Sequence, residues 1–326
     1  MQRRHLLGLT AGLLATPAIV QAQGAAWPTR GSVRLVAQFP PGGLVDTISR
    51  LMAPLISQSL GQTVLVENRA GAGGVIGTDY VAKQPADGYT LLVSHASVHI
   101  YSAATLPSLP FNPVTDFTHI GMLVEASNVL LVRANSPYQT LEQYIDAAKR
   151  QPIRYGSSGI GSAPHLLGVM LSAEARATNM DHVPYRGSAP AMQDLMANQI
   201  ESMIDPITTN VQLIKDGVLR ALAVSSPQRL PAFPNVPTFA ELGFARLTSA
   251  QWLGLSAPKN LPQPIVDRLS TLVPTLLQRP ELMVRFEELQ TLPRNPPPMG
   301  ADFVRIIEQQ LAEWTAVARQ FNIVAS

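Results

Sequence analysis

Short apolar runs alternate with helix-like stretches along most of the 326-residue chain, and this alternation restricts the fold more than any other feature. Runs such as 90–94 (TLLVS) and 128–133 (NVLLVR) are typical of strands buried on both faces of a parallel sheet. Between such runs, residues such as Ile48, Met52 and Ile56 recur at helical spacing, and Gly61 favours a helix end. Repeated β-α-β units predict an α/β fold with open parallel-type sheets and helices on both faces.

The first residues have the pattern of an export signal. Residues 1–22 join a basic start to an apolar run and to Val20-Gln21-Ala22, which fits signal-peptidase cleavage. Arg3-Arg4 is compatible with both the Sec and the Tat route. Removing this segment takes away two of the 24 basic residues and none of the 22 acidic ones, so the mature chain is neutral. We therefore expect an exported protein without a nucleic-acid partner.

Three strand-to-helix turns are rich in glycine, serine and proline. They are 40–43 (PPGG), 156–165 (GSSGIGSAPH) and 185–192 (YRGSAPAM), with Ser162 and Ser188 as the expected helix caps of the second and third. In an open parallel sheet such turns lie at the carboxyl ends of the strands, where ligands bind. Unpaired N–H groups at a helix start attract anions. Each turn alone is also explained as a good helix start, but three together predict a site for a small acid.

Motifs of nucleotide binding, catalysis and metal binding are missing. None of the four lysines follows a glycine turn, so the phosphate-binding loop lacks its lysine. Ser157, Ser158 and His165 suggest a serine hydrolase, but G-x-S-x-G fails because Ile160 stands at its fifth position. The chain has no cysteine, no H-E-x-x-H motif and no metal-ligand spacing of its histidines. We expect no enzyme activity, no cofactor and no metal.

Several specific blocks follow one another along the chain, among them 39–50 (FPPGGLVDTISR), 66–74 (VENRAGAGG), 182–195 (HVPYRGSAPAMQDL) and 252–258 (WLGLSAP). In these blocks the sequence resembles the tripartite tricarboxylate transporter receptors, also called Bug proteins, and the likeness runs from Trp27 to the carboxyl end. The resemblance implies a periplasmic solute receptor with a two-lobed, type II-like fold, in which two crossing strands join the lobes beside a cleft. It places lobe 1 at 28–128 plus 252–326 and lobe 2 at 129–251.

The resemblance also implies a binding site. Backbone amides of residues 42–44 would meet Ser157, Gly161 and Ser162 across the cleft. The complete set of expected ligand-binding residues is Phe39, Gly42, Gly43, Leu44, Asp46, Ser94, His95, Ser157, Gly159, Gly161, Ser162, His165, Tyr185, Gly187 and Asp205.

One departure from the family pattern and two open alternatives lie in or near this set. Leu44-Val45 is apolar where many relatives carry a hydroxyl. Asp46 suits the first turn of a helix as well as contact with the ligand. Arg186 suits a second ligand carboxylate as well as a solvated rim.

The expected ligand is a small carboxylate, delivered to the permease subunits of a tripartite tricarboxylate-type transporter. Dicarboxylates, tricarboxylates, aromatic acids and amino acids all fit the sequence. A sensor that docks on a membrane kinase is the alternative, and a periplasmic hydrolase is a third possibility. We expect the receptor to be a monomer.

Overall fold

The computed structural model describes residues 27–325 and consists of a mixed β-sheet covered by helices. Within this range the strands are β1 (Val33–Ala37), β2 (Val64–Asn68), β3 (Thr90–His95), β4 (Phe117–Arg133), β5 (Ile153–Ser157), β6 (Met180–Pro184), β7 (Ser202–Pro206), β8 (Leu219–Val224), β9 (Ala250–Pro258) and β10 (Thr291–Leu292). The strand order is β2-β1-β3-β9-β4-β7-β5-β6, and β8 and β10 pair with β4 outside that path. The expected signal peptide, 1–22, lies outside the described residues.

Helices flank the sheet. They are α1 (Leu44–Leu60), α2 (Val75–Ala82), α3 (Ala103–Thr105), α4 (Leu141–Ala148), α5 (Ala163–Ala175), α6 (Ser188–Met196), α7 (Val211–Lys215), α8 (Gln263–Leu277), α9 (Pro280–Leu289) and α10 (Gly300–Gln320), and a π-helix over Ser97–Ser102 leads into α3. The face of α1 that carries Ile48, Met52 and Ile56 is buried against β1 and α8. None of the helices between 27 and 325 is long and apolar enough to cross a bilayer.

Two long strands join the two halves of the sheet. The first part of β4 pairs with β9, from Phe117 opposite Pro258 to Ser127 opposite Ala250. The last part of β4 pairs with β7 and β8. We call the half with β1, β2 and β3 the first lobe and the half with β5 to β8 the second lobe. The expected boundaries, 128/129 and 251/252, fall inside β4 and β9, and the division of the chain at these points stays a prediction.

Within each lobe, neighbouring strands pair in parallel and therefore run in the same direction. In the first lobe β1 is parallel to β2 and β3, and in the second lobe β5 is parallel to β6 and β7. The antiparallel pairs are those of the crossing strands β4 and β9 with their neighbours and that of β10. Ligand sites of such sheets lie at the carboxyl ends of the parallel strands, so the turns after β1, β3, β5, β6 and β7 are the place to search.

The sequence pattern predicted a shorter β4 than the structure shows. It indicated a strand over 128–133, whereas β4 begins at Phe117. Its first part contains His119 and Gly121 and departs from regular pairing with β9 near both, which removes the periodic signal. A Cβ at Gly121 would lie 2.3 Å from the Met299 sulfur and 3.2 Å from Pro298 O, so a larger residue there would displace the Met299 side chain.

Candidate functional site

A cleft of about 440 Å³ lies between the lobes, at the carboxyl ends of five parallel strands. Its lining consists of Phe39, Pro40, Pro41, Gly43, Leu44, Val45, His95, Ser97, Ala126, Ser158, Ser162, Ala163, Pro164, Arg186, Gly187, Ser188, Ala189, Pro190, Pro206, Thr208, Thr209 and Gln251. Of the residues expected from the sequence, the cleft brings together Phe39, Gly43, Leu44, His95, Ser162 and Gly187.

The turn after β1 delivers the start of α1 to the cleft. Gly42 has φ +85°, a left-handed conformation that favours glycine, and its N–H donates to Asp46 Oδ2 at 2.9 Å. Gly43 is extended, with φ −78° and ψ 172°, and precedes α1 without a side-chain cap. The N–H groups of Gly43, Leu44 and Val45 have no acceptor within residues 27–325. These three amides, rather than that of Gly42, are therefore available to a ligand.

Asp46 holds this turn from behind the cleft surface. Its side chain is 5% exposed and accepts from Gly42 N–H, from Asn68 Nδ2 at 2.9 Å and from Arg50, with which it forms an ion pair. Burial alone would raise the pKa of Asp46, but the hydrogen bonds from Arg50, Gly42 and Asn68 outweigh it and lower the pKa. Asn68 also donates to Phe39 O. Of the two roles left open by the sequence, the structure shows the structural one, and Asp46 is not part of the lining.

At the end of β3, Ser94 and His95 have different surroundings. Ser94 is fully buried and its hydroxyl bonds to that of Ser256 at 2.9 Å, away from the cleft. His95 lines the cleft, its ring edge-on to Phe39 with 5.6 Å between centroids. Burial lowers the pKa of His95 to about 4, so the ring is neutral at pH 7. Since Nδ1 accepts from Ser97 N–H, the proton resides on Nε2, which makes His95 a neutral donor.

The turn after β5 presents Ser158 and Ser162, not Ser157. Ser157 is fully buried, and its hydroxyl lies 2.7 Å from His182 Nε2. Gly159 N–H donates to Ser157 Oγ. Ser162 Oγ donates to Gly159 O at 2.7 Å and accepts from His165 N–H, which caps α5. Its only proton is therefore committed to the protein, and Ser162 offers a ligand lone pairs only.

Behind this turn lie Gly161, His165 and His182. Gly161 N–H donates to His165 Nδ1, and the rings of His165 and His182 stack with 4.0 Å between centroids. Burial lowers the pKa of His165 to about 4, and burial together with the neighbouring His165 lowers that of His182 to about 3. The Ser157–His182 pair has hydrogen-bond geometry, but Ser157 has no surface in the cleft. Neither Gly161 nor His165 belongs to the lining, and the same holds for Gly159.

The turn after β6 differs from the sequence prediction in its cap. Gly187, with φ +111°, precedes α6, and Ser188 is the first helical residue. The Ser188 hydroxyl donates to Asp205 Oδ1 instead of capping the helix. Tyr185 OH donates to Asp194 at 2.7 Å, so this side chain serves the second lobe and does not line the cleft.

Asp205 lies directly behind the cleft, at the end of β7. It is 1% exposed, and its Oδ2 accepts from Thr209 Oγ1 and Asn210 Nδ2, both at 2.8 Å. Burial raises the pKa of Asp205, and the hydrogen bonds from Ser188, Asn210 and Thr209 oppose this rise in part. Asp205 thus arranges two lining hydroxyls without reaching the cleft itself.

Several lining residues were not expected from the sequence. Pro206, Thr208 and Thr209 follow β7, and the rule that identified the other turns also applies to them. Thr208 Oγ1 is buried without a hydrogen-bond partner within residues 27–325. Ala126 and Gln251 are paired partners in β4 and β9 and form the floor. No local signal marks them, because long-range strand pairing brings them to the site.

The charges of the lining favour an anion. Among the described lining residues, Arg186 is the only side chain with a formal charge, and it is exposed. The amino-terminal ends of α1, α5 and α6 all reach the cleft, and each carries partial positive charge. No group of three metal-ligating side chains occurs within residues 27–325.

Comparison with known proteins agrees with this architecture. A sequence profile of TctC, the tripartite tricarboxylate transporter family receptor, matches residues 48–323. The chain belongs to this receptor family. Protein BugT of Bordetella pertussis is 33% identical over 325 residues, which cover 98% of each chain. The family resemblance predicted from the sequence is confirmed.

Solved structures of similar proteins share the two-lobed fold of periplasmic binding proteins. Rpa4515 of Rhodopseudomonas palustris, solved with adipate, is 32% identical with a TM-score of 0.82, covering 91% of this chain and 99% of that one. MatC (Rpa3494) from Rhodopseudomonas palustris, solved with bound malate, is 30% identical with a TM-score of 0.78, covering 88% and 99%. The α/β, two-lobed fold predicted from the sequence is confirmed.

Proposed function

We propose that this protein is a periplasmic receptor that binds a small carboxylate in the cleft and delivers it to a membrane transporter of the tripartite tricarboxylate type. The observation that carries the proposal is the chemistry of the cleft. Three helix starts, a neutral His95 donor and the free amides of Gly43, Leu44 and Val45 meet there, and no carboxylate is among the described lining residues. Such a site stabilises an anion by hydrogen bonds and dipoles.

The proposal includes closure of the lobes on the ligand. Lining residues come from both lobes and from the floor between them, so a ligand that contacts both lobes favours the closed form. We place the lobe boundaries at 128/129 and 251/252, inside β4 and β9, because bending there leaves each lobe's parallel strands intact. A closed form that differs in shape from the open one gives the transporter a means to recognise the occupied receptor.

No catalytic role is part of the proposal. The Ser157 hydroxyl is enclosed by Gly159 and His182, and the neutral His95 bonds to Ser97 rather than to a nucleophile. The cleft therefore holds its ligand unchanged. The solved relatives that carry adipate and malate support carboxylate binding of this kind.

A thermal-shift screen of the mature protein against small carboxylic acids tests the proposal. At least one acid should raise the melting temperature and bind with a Kd that is roughly micromolar, corresponding to about −8 kcal/mol. Chromatography of the same mixtures should recover the acid unchanged. Absence of any stabilising acid, or steady consumption of one, would contradict the receptor function. Loss of uptake of that acid on deletion of the gene tests the transporter partnership separately.

A further inference from the structure

The wall that the first lobe presents to the cleft is apolar. Phe39, Pro40, Pro41, Leu44 and Val45 all line it, and Phe39 packs its ring against the edge of His95. A ligand body that covers this wall removes apolar surface from water, which is favourable only if that body is itself apolar. A hydroxylated or charged body would lose its hydration here without gaining hydrogen bonds from these side chains.

The start of α1 beside this wall keeps its attraction for an anion. The carboxylate of Asp46 lies behind the first turn, but Arg50 forms an ion pair with it at 2.9 Å. The pair is neutral in sum, so it does not cancel the partial positive charge of the helix start. The unpaired amides of Gly43, Leu44 and Val45 therefore provide one site for one carboxylate.

The start of α6, across the cleft, is different. Asp205 accepts from Ser188, Thr209 and Asn210, all of them neutral donors, and no cation within residues 27–325 bonds to it. Its charge therefore opposes the partial positive charge of α6. The protons of Ser188 and Thr209 are committed to protein acceptors, so these two hydroxyls offer only lone pairs to a ligand.

The amides of Gly187, Ser188 and Ala189 at this end also have no acceptor within residues 27–325. A second carboxylate that approached them would nevertheless meet the lone pairs of Ser188 and Thr209, with the buried negative charge of Asp205 behind them.

The remaining cation, Arg186, is exposed, and an exposed guanidinium contributes little because water and salt screen it. Ser158 and Thr208 are neutral hydroxyls and add no compensating charge. The start of α5 offers a ligand only the Ala163 N–H, because Gly161 and Ser162 N–H donate within the turn and Pro164 has none. The cleft is thus built around one anionic group at α1 and one apolar body.

We infer that this receptor selects monocarboxylates with an apolar ring or branched body over dicarboxylates and tricarboxylates. The inference rests on the proposed function and specifies its ligand class. It follows from the apolar wall of the first lobe together with the unequal charge compensation at α1 and α6. Its ligands differ in class from the adipate and malate found in the two solved relatives.

Isothermal titration with five acids tests the inference on the mature protein. Cyclohexanecarboxylate and benzoate represent the expected class, and malate, adipate and citrate represent the class selected against. At least one of the two monocarboxylates should bind tighter than all three polyacids by about tenfold, the effect of burying one additional small apolar group. Equal affinity, or tighter binding of a polyacid, overturns the inference while the proposed function stands. If the folded protein binds none of the five while another acid raises its melting temperature, only the inference is overturned. If no acid does so, the proposed function is overturned as well.

A pair of leucine variants tests the role of the wall. Leu44→Ser should weaken cyclohexanecarboxylate binding by about tenfold and leave weak malate binding unchanged, because only the apolar body contacts the side chain. The matched control is Leu65→Ser on β2, where the leucine is 53% exposed and outside the cleft lining. This control should bind both acids as the wild type does. An equal loss for both acids in Leu44→Ser, or no loss for either, overturns the assignment of the wall.

Discussion

The starts of α1 and α6 face the same cleft, and each has a buried aspartate behind it. Asp46 is 3% exposed and Asp205 is 1% exposed. Asp46 forms an ion pair with Arg50, whereas Asp205 accepts only from neutral groups. The pKa of Asp46 is lowered, because its hydrogen bonds outweigh the effect of burial, and that of Asp205 is raised, because burial dominates.

This comparison shows that a carboxylate near a helix start does not by itself reveal where an anion binds. At α1 the carboxylate fixes the turn, and Arg50 leaves the helix start attractive to an anion. At α6 the carboxylate orients two hydroxyls, and its charge opposes the partial positive charge of the helix start. Motifs that look alike in sequence thus make opposite contributions to the cleft.

The largest expected effect is on the free energy of unfolding, and it differs between variants of the two aspartates. Asp205→Asn should lower the free energy of unfolding by about 3 kcal/mol, because an amide cannot accept from all of Ser188, Thr209 and Asn210 in a buried site. Asp46→Asn should lower it by about 1–2 kcal/mol, because Arg50 is exposed and regains water. Urea unfolding of the wild type and both variants measures the two losses. The control is Asp181→Asn, on the exposed surface of β6, which should leave the free energy of unfolding unchanged. Equal losses of this free energy in Asp46→Asn and Asp205→Asn would contradict the difference between the two aspartates.

The pH dependence of these two losses should have opposite signs. The lowered pKa of Asp46 means that its ionised form stabilises the native state above the ordinary value of 3.8, and this stabilisation is lost as the pH falls through the native pKa. The raised pKa of Asp205 means that ionisation reduces native stability as the pH rises from 3.8 through the native pKa. The difference between wild type and Asp46→Asn should therefore grow with pH, and that for Asp205→Asn should shrink.

Unfolding curves of the wild type and both aspartate variants, from below pH 3.8 to neutral pH, give the two slopes. Taking differences between proteins removes the contributions of the histidines. Slopes of the same sign would mean that the two carboxylates have similar environments, and the comparison would fail.

The smallest expected effect concerns α5, the third helix start, which has no acidic residue in its first turn. Ser162→Ala should lower the free energy of unfolding by about 1 kcal/mol, because Ser162 caps the helix. Ser158→Ala should leave stability unchanged and weaken ligand binding, because its hydroxyl is free to donate into the cleft. Chemical unfolding and titration of the two variants separate these roles. A stable Ser162→Ala variant with impaired binding would reverse them.

The sequence predicted the fold class, the family and three turns of the cleft, because these depend on local patterns. Within the turns, side-chain directions were harder to predict. Ser157 ends β5 and points to His182, so the next residue, Ser158, faces the cleft, in accord with the alternation of side chains along a strand. The partner of Asp46, Asn68, comes from β2 and is recognisable only once β1 and β2 are paired.

Residues of the crossing strands were beyond local prediction for the same reason. Ala126 and Gln251 are far apart in sequence and meet as a pair between β4 and β9. Which acceptor each hydroxyl of Ser162, Ser188 and Thr209 donates to also depends on contacts that only the folded chain makes. A serine in the sequence does not show whether its hydroxyl is a donor or an acceptor toward a ligand.

The central claim, that the ligand carboxylate binds at the start of α1, is tested most directly by titrating wild type and Gly43→Val with the tightest-binding of the five acids. The conformation of Gly43 suits valine, and its Cβ would have only Pro40 O nearby, at 3.6 Å. Gly42→Val is the control: with φ +85° it should lower stability. We predict that Gly43→Val unfolds as the wild type does without ligand, within about 1 kcal/mol, and binds the acid more than about tenfold more weakly. Unchanged affinity in Gly43→Val would contradict the account.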